Sequence, residues 1–402
     1  MHESLVAKYR LDAPPYACYP VPECFGAQLR PWELAGAFAR RRHASRPLAL
    51  SVQLAGAPLE SLRAESQLQQ ALCDPGGPLG RLEVRGASEA ALRDRGFAAL
   101  LRHLRERFSF AGTHSVLEID AAQLTEQAAA EAAALGLRRM RVICASDADE
   151  RALAQALDRA ARSGPFEAAL AYGRAAHTPD RVEALLGTAL GAQPARLLLC
   201  ARHEGERQDR AAIWVRALER LAAAGYVYAG FDVFVAAHPG ALPQRCDRLG
   251  MGVAALSAVD ECCAQNALGA EDYARRVARG ELPLERGHWL SPDDCLRRDV
   301  IHALECGAAL AFSSLESKYG IVFARYFAPE LRELERMQDD GLVELYEDAL
   351  ELTPAGRPLA RLASALFDRY LAPRRVAESG NARESFPVAG NAASGPVNAR
   401  ST

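Results

Sequence analysis

Short apolar runs alternate with amphipathic helical stretches over residues 47–235. The apolar runs have the length and the leucine-rich or β-branched character of strands. The stretches between them, such as 88–107 and 147–162, carry apolar residues at helical spacing. Repeated units of this kind favour parallel strands covered by helices, which predicts an α/β fold, either a partial barrel or a doubly wound sheet. The predicted strands are 48–54, 81–86, 114–120, 139–144, 167–172, 195–200 and 226–235.

A different pattern begins after Leu249. Ser291 is followed by Pro292 and two acidic residues, which predicts the start of a helix. Two short alternating runs joined by an acidic turn lie within 339–357, and a further helix is expected after them. This order predicts a small, mostly helical, winged-helix-like domain. The predicted organisation is an N-terminal arm and helix (1–46), a barrel (47–240), the C-terminal domain (249–372) and a disordered tail (373–402).

The composition narrows the class of protein. The chain of 402 residues is 50% apolar and 25% charged, with a net charge of −3, which is ordinary for a globular protein and gives no general attraction to nucleic acid or to anionic membranes. No run approaches the roughly 18 apolar residues of a membrane span. We therefore expect a cytoplasmic protein without a membrane partner. The ten cysteines and nine histidines include no CxxC, HxxxH or HExxH spacing.

Several C-terminal strings identify a family resemblance. They are LGMGVAALS (249–257), LSPDDCLRRDVI (290–301), FARYFAPEL (323–331), DDGLVE (339–344) and LTPAGR (352–357). In this order they resemble the C-terminal domain of the oxygen-independent coproporphyrinogen III oxidases, a family of radical S-adenosylmethionine (SAM) enzymes. PPYACYP (14–20) and GYVYAGFDVF (225–234) resemble the family's arm and its last barrel strand. The resemblance implies a partial parallel (βα)6-type barrel followed by a winged-helix-like domain.

The resemblance also implies a cofactor whose ligands are missing here. The family holds a [4Fe–4S] cluster with cysteines in a CxxxCxxC loop after the first strand, and one iron chelates SAM. The corresponding positions are Ala57, Ser61 and Ala64, and neither alanine nor a serine alcohol replaces an iron-bound thiolate. The family's SAM-binding glycine motif reads RGASE from Arg85. We therefore expect no metal ligand at these positions and no cofactor, neither [4Fe–4S] nor SAM.

A few residues remain as candidate ligand contacts. Glu118 matches the glutamate of the family's SAM site, and its alternative role is a structural carboxylate at a strand end. Arg297 and Arg298 match the family and could hold propionate groups, or pair with neighbouring aspartates. Tyr16 and Tyr19 could stack on a flat macrocycle, or seal the open side of the barrel.

The function expected from these features is that of a cluster-less pseudoenzyme of the family, which binds porphyrin, haem or a protein of haem biosynthesis. One alternative is an oxidase-type activity retained by another route, for which a cluster held by Cys73, Cys144 and Cys200 is conceivable. A second alternative is a winged-helix regulator of nucleic acid. Basic and acidic residues balance over 315–337, which disfavours that second alternative, and we expect no nucleic-acid partner.

Overall fold

The fold is taken from a computed structural model of the chain. It describes residues 8–9, 16, 18–27, 29–41, 47–72, 80–108, 115–144, 149–173, 178–201, 207–236, 246–307 and 309–371. The predicted disordered tail (373–402) lies outside these residues.

Parallel strands and helices alternate through the first half of the chain, as the pattern predicts. A helix α1 (Pro31–Arg41) precedes them. The alternating elements are β1 (Leu48–Gln53), α2 (Leu59–Leu72), β2 (Arg81–Ala87), α3 (Glu89–Arg93), α4 (Arg95–Arg107), β3 (Ser115–Asp120), α5 (Glu126–Ala134), β4 (Arg139–Cys144), α6 (Glu150–Ser163), β5 (Glu167–Tyr172), α7 (Pro179–Gly191), β6 (Arg196–Ala201) and α8 (Arg207–Ala223). Strands β1 to β6 pair in parallel in chain order, so the α/β class is confirmed.

The segment 226–235 is a hairpin, and its prediction as one strand is wrong. Its strands β7 (Tyr226–Gly230) and β8 (Val233–Ala236) are antiparallel, and β8 is also antiparallel to β6. Phe231 and Asp232 form the turn with positive φ angles of 50° and 56°. The Asp232 carboxylate is buried and lies 2.8 Å from the Arg361 guanidinium, so an ion pair with the C-terminal region holds this turn in place.

The sheet continues well beyond the predicted barrel. Strand β9 (Asp247–Met251) pairs in parallel with β1, and β10 (Leu256–Val259), β11 (Cys262–Asn266) and β12 (Leu284–Trp289) extend the sheet in antiparallel fashion, with helix α9 (Ala270–Ala278) between the last two. The strand order is β12-β11-β10-β9-β1-β2-β3-β4-β5-β6-β8-β7. Among the described residues β12 and β7 are the two end strands of the sheet and do not pair with each other, so no closed barrel forms. Gly287 on β12 forms an isolated antiparallel bridge with Gly26 of the arm.

The C-terminal region is helical with a small sheet. It contains α10 (Pro292–Cys306), β13 (Ala309–Ala311), α11 (Phe312–Tyr319), α12 (Phe323–Tyr326), α13 (Ala328–Asp339), β14 (Val343–Leu345), β15 (Ala349–Leu352) and α14 (Ala360–Leu366). Ser291 and Asp294 form a reciprocal capping box, which confirms the predicted start of α10. The predicted pair of short strands is confirmed as β14 and β15, and β13 adds a third strand. None of the described helices is long and apolar enough to span a membrane.

Candidate functional site

The parallel strands present two different faces. On β4, Met140, Val142 and Cys144 are buried, whereas Arg139 and Arg141, which alternate with them, are partly exposed. Strand side chains alternate between faces, so the arginines lie opposite the packed face. The register aligns Glu118 with Arg141, and Arg141 with Glu167. Charged side chains from neighbouring strands therefore share one face.

This charged face lies opposite the helices. The apolar side chains that alternate with the charged ones are buried, and helices α6 and α7 pack against β4 and β5. In parallel strands that are each followed by a helix, the helices cover the outer side of the coiled sheet, so the charged side chains lie on its inner side. We call this surface of β1 to β6 and β9 the concave face.

Arg141 is the centre of the concave face. Its guanidinium Nη2 lies 2.7 Å from Glu167 Oε2 on one side, and its Nη1 lies 3.4 Å from Glu118 Oε2 on the other. Arg196 approaches the second oxygen of Glu167 at 3.8 Å. Burial alone would lower the pKa of Arg141, but the nearby glutamates raise it. The arginine is therefore charged at every ordinary pH and links three strands.

Glu83 is the third acid of the concave face. Its Oε1 lies 2.9 Å from Arg81 Nε. Burial raises the pKa of Glu83, yet the positive charges of Arg248 and Arg81 outweigh burial and leave the pKa below its usual value. Burial also raises the pKa of Glu167, but the positive charges of Arg141 and Arg81 outweigh burial, so this pKa too is lowered. Both acids are therefore ionised.

Positive charge exceeds negative charge on the concave face. Its six arginines are Arg81, Arg85, Arg139, Arg141, Arg196 and Arg248, and its four acids are Glu83, Glu118, Asp120 and Glu167. Among the described residues, the buried Nε atoms of Arg139 and Arg248 make no hydrogen bond, although Arg139 Nε lies 4.0 Å from Glu167 Oε1, which makes none either. Buried donors without acceptors are costly, so the surface has unused capacity for an anion.

Glu118, predicted from the resemblance, lies at this face. Its two carboxylate oxygens each accept from Arg85 Nε at 3.3 Å. Arg85 begins the segment that replaces the family's glycine motif, so a guanidinium occupies the space beside this glutamate. The other arginines were missed by the sequence reasoning. The available signal was the alternation of charges in RLEVR (81–85) and RMR (139–141) within strand-like runs.

The two arm tyrosines are both buried by protein packing. Tyr16 OH donates to Asp368 Oδ2 at 3.1 Å, and its ring centroid is 6.4 Å from that of Tyr19. Tyr19 in turn contacts Tyr370 with a centroid distance of 6.0 Å. These contacts join the arm to the end of the C-terminal region. Stacking on a macrocycle stays a prediction for both residues.

Arg297 and Arg298 are engaged with the protein itself. Arg297 Nε lies 3.0 Å from Asp293 Oδ1, and its Nη1 lies 3.0 Å from Glu330 Oε1. Arg298 Nη1 donates to the Asp260 carbonyl at 2.5 Å. None of these contacts links Arg297 or Arg298 to Glu118. Their role in holding propionates stays a prediction.

The segment aligned with the family's cysteine loop forms the start of α2. Ala57, Ser61 and Ala64 are half-buried, and Ser66, at the position of a further family cysteine, is buried. Ser66 Oγ donates to the Arg63 carbonyl at 2.7 Å and lies 2.9 Å from His103 Nε2. Ser66 is therefore used to fix α2 against α4.

Comparison with known proteins identifies the relatives of this fold. A family model described as the HemN C-terminal domain matches residues 290–359. The oxygen-independent coproporphyrinogen III oxidase of Pseudomonas aeruginosa is 34% identical over 235 residues, which are 50% of this chain and 51% of that protein. The chain thus matches about half the length of that relative. The Escherichia coli protein of the same name is 27% identical, over 92% of this chain and 95% of its own.

The solved E. coli structure covers nearly the whole fold. It is described as coproporphyrinogen III oxidase (HemN), a radical SAM enzyme, and superposes with a TM-score of 0.78 and 25% identity over 89% of this chain and 97% of that one. The chain resembles the oxygen-independent coproporphyrinogen III oxidases. It is a coproporphyrinogen-oxidase-like protein with a radical-SAM-like fold and a helical C-terminal region.

These similarities contradict the expectation that no cofactor is involved. The E. coli relative is a radical SAM enzyme, and this class uses a [4Fe–4S] cluster with SAM. The prediction that this chain uses neither a [4Fe–4S] cluster nor SAM is therefore contradicted by its relatives.

The residues at the aligned loop do not fit such a cluster, because Ala57, Ser61 and Ala64 supply no thiolate. Across the described part of the chain, no three side chains of His, Cys, Asp or Glu are grouped so as to hold a metal ion. Burial raises the pKa of Cys144 to about 12, which disfavours its thiolate, and Cys73 lies outside the described residues. No chemical step can be assigned to this loop.

Proposed function

We propose that this coproporphyrinogen-oxidase-like protein binds a polycarboxylate tetrapyrrole on its concave face, and that binding rather than turnover is its function. The observation that carries the proposal is the excess of arginine over acid on that face, together with the buried Nε atoms of Arg139 and Arg248, which make no hydrogen bond. Propionate groups are the natural acceptors for such donors, because guanidinium and carboxylate form strong, charge-assisted hydrogen bonds.

The same face offers both an accessible cation and an apolar wall. The Arg85 side chain is 42% exposed, so its guanidinium can exchange Glu118 for a ligand carboxylate without opening the core. Ala169 and Ala171 on β5 lie in register with Leu198 and Cys200 on β6. Ala171, Leu198 and Cys200 are partly exposed, whereas Ala169 is buried. An apolar floor with a few polar anchors is typical of small-molecule sites.

Binding without turnover is supported by the aligned loop. The relatives are named as oxidases, and the positions at which the family carries its cysteines are Ala57, Ser61 and Ala64 in this chain. Tetrapyrrole recognition requires only the arginines and the apolar floor, so it does not depend on that loop. A second arrangement, in which the chain acts on coproporphyrinogen as its relatives' names state, is the alternative outcome of the test.

The test is an absorbance and fluorescence titration of the full chain with coproporphyrin III and with haem, run beside an anaerobic coproporphyrinogen oxidase assay. We expect saturable binding of coproporphyrin III and no product formation. Arg85→Ala should weaken binding about tenfold, because one charge-assisted hydrogen bond contributes roughly 1.5 kcal/mol.

Arg216→Ala is the matched control. Arg216 is also 42% exposed and also pairs with an acid, Asp180 at 2.7 Å, but it belongs to α8 on the helical side. It should leave the affinity unchanged. Titrations that show no binding would contradict the binding proposal, whereas conversion of coproporphyrinogen by the chain would contradict the claim of binding without turnover.

A further inference from the structure

Two thiols from distant parts of the chain meet beside the concave face. Cys18 belongs to the N-terminal arm and Cys263 to β11, and their Sγ atoms are 3.6 Å apart. Cys263 is 2% exposed and also lies 3.9 Å from the Tyr19 carbonyl. Cys18 is only partly buried. Of the two cysteines, Cys18 is thus the one nearer to solvent, and Cys263 lies behind it.

The charges around the pair favour the thiolate of Cys18. Its hydrogen bond with Cys263 lowers the pKa of Cys18 most, burial opposes this, and the guanidinium groups of Arg248 and Arg298 lower it further. Glu23 acts weakly in the opposite direction. The same hydrogen bond raises the pKa of Cys263. One sulfur is thus the better nucleophile, and its neighbour keeps its proton until the second step.

Other cysteines have the opposite character. Burial raises the pKa of Cys144 and of Cys306 to about 12, and it also raises the pKa of Cys246. Cys262, next to Cys263 in sequence, pairs across the sheet with Val259 and lies on the opposite face of β11. Position and charge therefore single out the pair Cys18 and Cys263.

We propose that Cys18 and Cys263 form a reversible disulfide by exchange with a small-molecule disulfide such as oxidised glutathione, and that this bond fastens the arm to β11. The inference does not rest on tetrapyrrole binding. Closing the bond requires the sulfurs to approach from 3.6 Å to about 2.05 Å, a shift that side-chain rotation on the arm can supply.

The exchange balances as two substitutions at sulfur. The Cys18 thiolate attacks one sulfur of oxidised glutathione, the glutathione S–S bond breaks, and glutathione thiolate leaves and takes up a proton. Cys263 then loses its proton and attacks the Cys18 sulfur of the mixed disulfide, releasing a second glutathione. Two protein thiols are oxidised, and one glutathione disulfide is reduced to two thiols.

The test is a non-reducing peptide map of the folded, full-length chain after incubation with oxidised glutathione and alkylation of the remaining thiols. We expect the Cys18–Cys263 peptide to be the most abundant linked pair, and dithiothreitol to remove it. Equal alkylation of both cysteines before and after incubation, or a predominant link to another cysteine, would overturn the proposal.

Variants separate the two steps. Cys263→Ser should trap the glutathione mixed disulfide on Cys18, whereas Cys18→Ser should abolish both the link and glutathionylation of Cys263. Cys24→Ser, which changes another cysteine of the arm region, should leave the link intact and is the matched control. Circular dichroism identifies any variant that folds poorly. In that case the peptide map of the wild type still tests whether the disulfide forms. The proposed order, in which Cys18 reacts first, would be contradicted if Cys263 in the Cys18→Ser variant were glutathionylated as fast as Cys18 is in the wild type.

Discussion

Two buried polar clusters on the same sheet show how a structural site differs from a binding site. Glu65 on α2 is completely buried, and its carboxylate accepts from four donors: Tyr273 OH at 2.7 Å, Gly252 N at 2.8 Å, Asn266 Nδ2 at 2.7 Å and Gln69 Nε2 at 3.0 Å. Every acceptor position is used, and the donors come from different elements. This cluster fastens α2 and α9 to the sheet, and the Glu65 carboxylate has no free acceptor position for a ligand.

The concave face has the opposite balance. Its arginines outnumber its acids, the Nε atoms of Arg139 and Arg248 make no hydrogen bond, and Arg85 is partly exposed to solvent. Burying charge without full compensation lowers stability. The excess of arginines on the concave face lowers stability in this way. A bound anion that pairs with these arginines explains their presence better than packing alone. The two clusters therefore differ in one respect: every acceptor position of the Glu65 carboxylate is used, whereas the concave face combines unused arginine donors with an excess of positive charge.

The largest expected effect tests whether Arg141 holds the concave face together. Arg141→Met removes the cation between Glu118 and Glu167, and leaves the nearly inaccessible Glu167 without its closest partner. Loss of one member of a buried pair costs about 3–5 kcal/mol. Urea denaturation should show this fall in the free energy of unfolding, and Arg216→Met should change it by less than about 1 kcal/mol. Equal effects of the two variants would refute the central position of Arg141.

A pH titration of stability tests the Glu65 cluster. Burial, partly offset by its four hydrogen bonds, raises the pKa of Glu65 to about 7. The folded state therefore holds a proton that the unfolded state releases near pH 4.3, and the stabilisation present at low pH is lost as the pH rises to about 7. Over this pH range the free energy of unfolding should fall by up to about 3 kcal/mol less in Glu65→Gln than in the wild type.

Unfolding free energies measured between pH 4 and pH 8 give the comparison. Glu305, whose pKa burial also raises to about 7, contributes its own slope in both proteins, so the difference isolates Glu65. An identical decline in wild type and Glu65→Gln would show that the carboxylate does not titrate in this range.

A smaller effect is expected from salt on tetrapyrrole binding. The exposed Arg85 contributes a screened interaction, while Arg141 is shielded by its neighbours. Raising the ionic strength from low to high should weaken coproporphyrin III binding several-fold in the wild type, and less in Arg85→Ala. Fluorescence titrations at two salt concentrations measure this difference. Equal salt dependence in both proteins would place the ligand elsewhere.

The strands that the sequence predicts best are central parallel strands of the sheet. The runs 139–144 and 167–172 agree with β4 and β5 at both ends. Both runs have the length of a strand, and each lies between stretches with helical periodicity. The hairpin at 226–236 and the strands β9 to β12 were missed. Short antiparallel strands depend on pairing with distant residues, and that pairing leaves little periodicity in a single sequence.

The candidate site was predictable only in part. Glu118 followed from a family motif, but its partners depend on register: Arg85 comes from β2 and Arg141 from β4. A shift of one residue in either strand would place those side chains on the helical face. The contact between Cys18 and Cys263 joins positions 245 residues apart, and no local pattern indicates it.

The most direct measurement of the central claim compares coproporphyrin III with its fully methylated ester in the same titration. The two ligands share the macrocycle and differ in the carboxylates that the concave arginines are proposed to hold. We predict saturable binding of the free acid and an affinity for the ester at least tenfold weaker, with the difference reduced in Arg85→Ala. Equal affinities of wild type for the two ligands would contradict recognition by the arginines of the concave face.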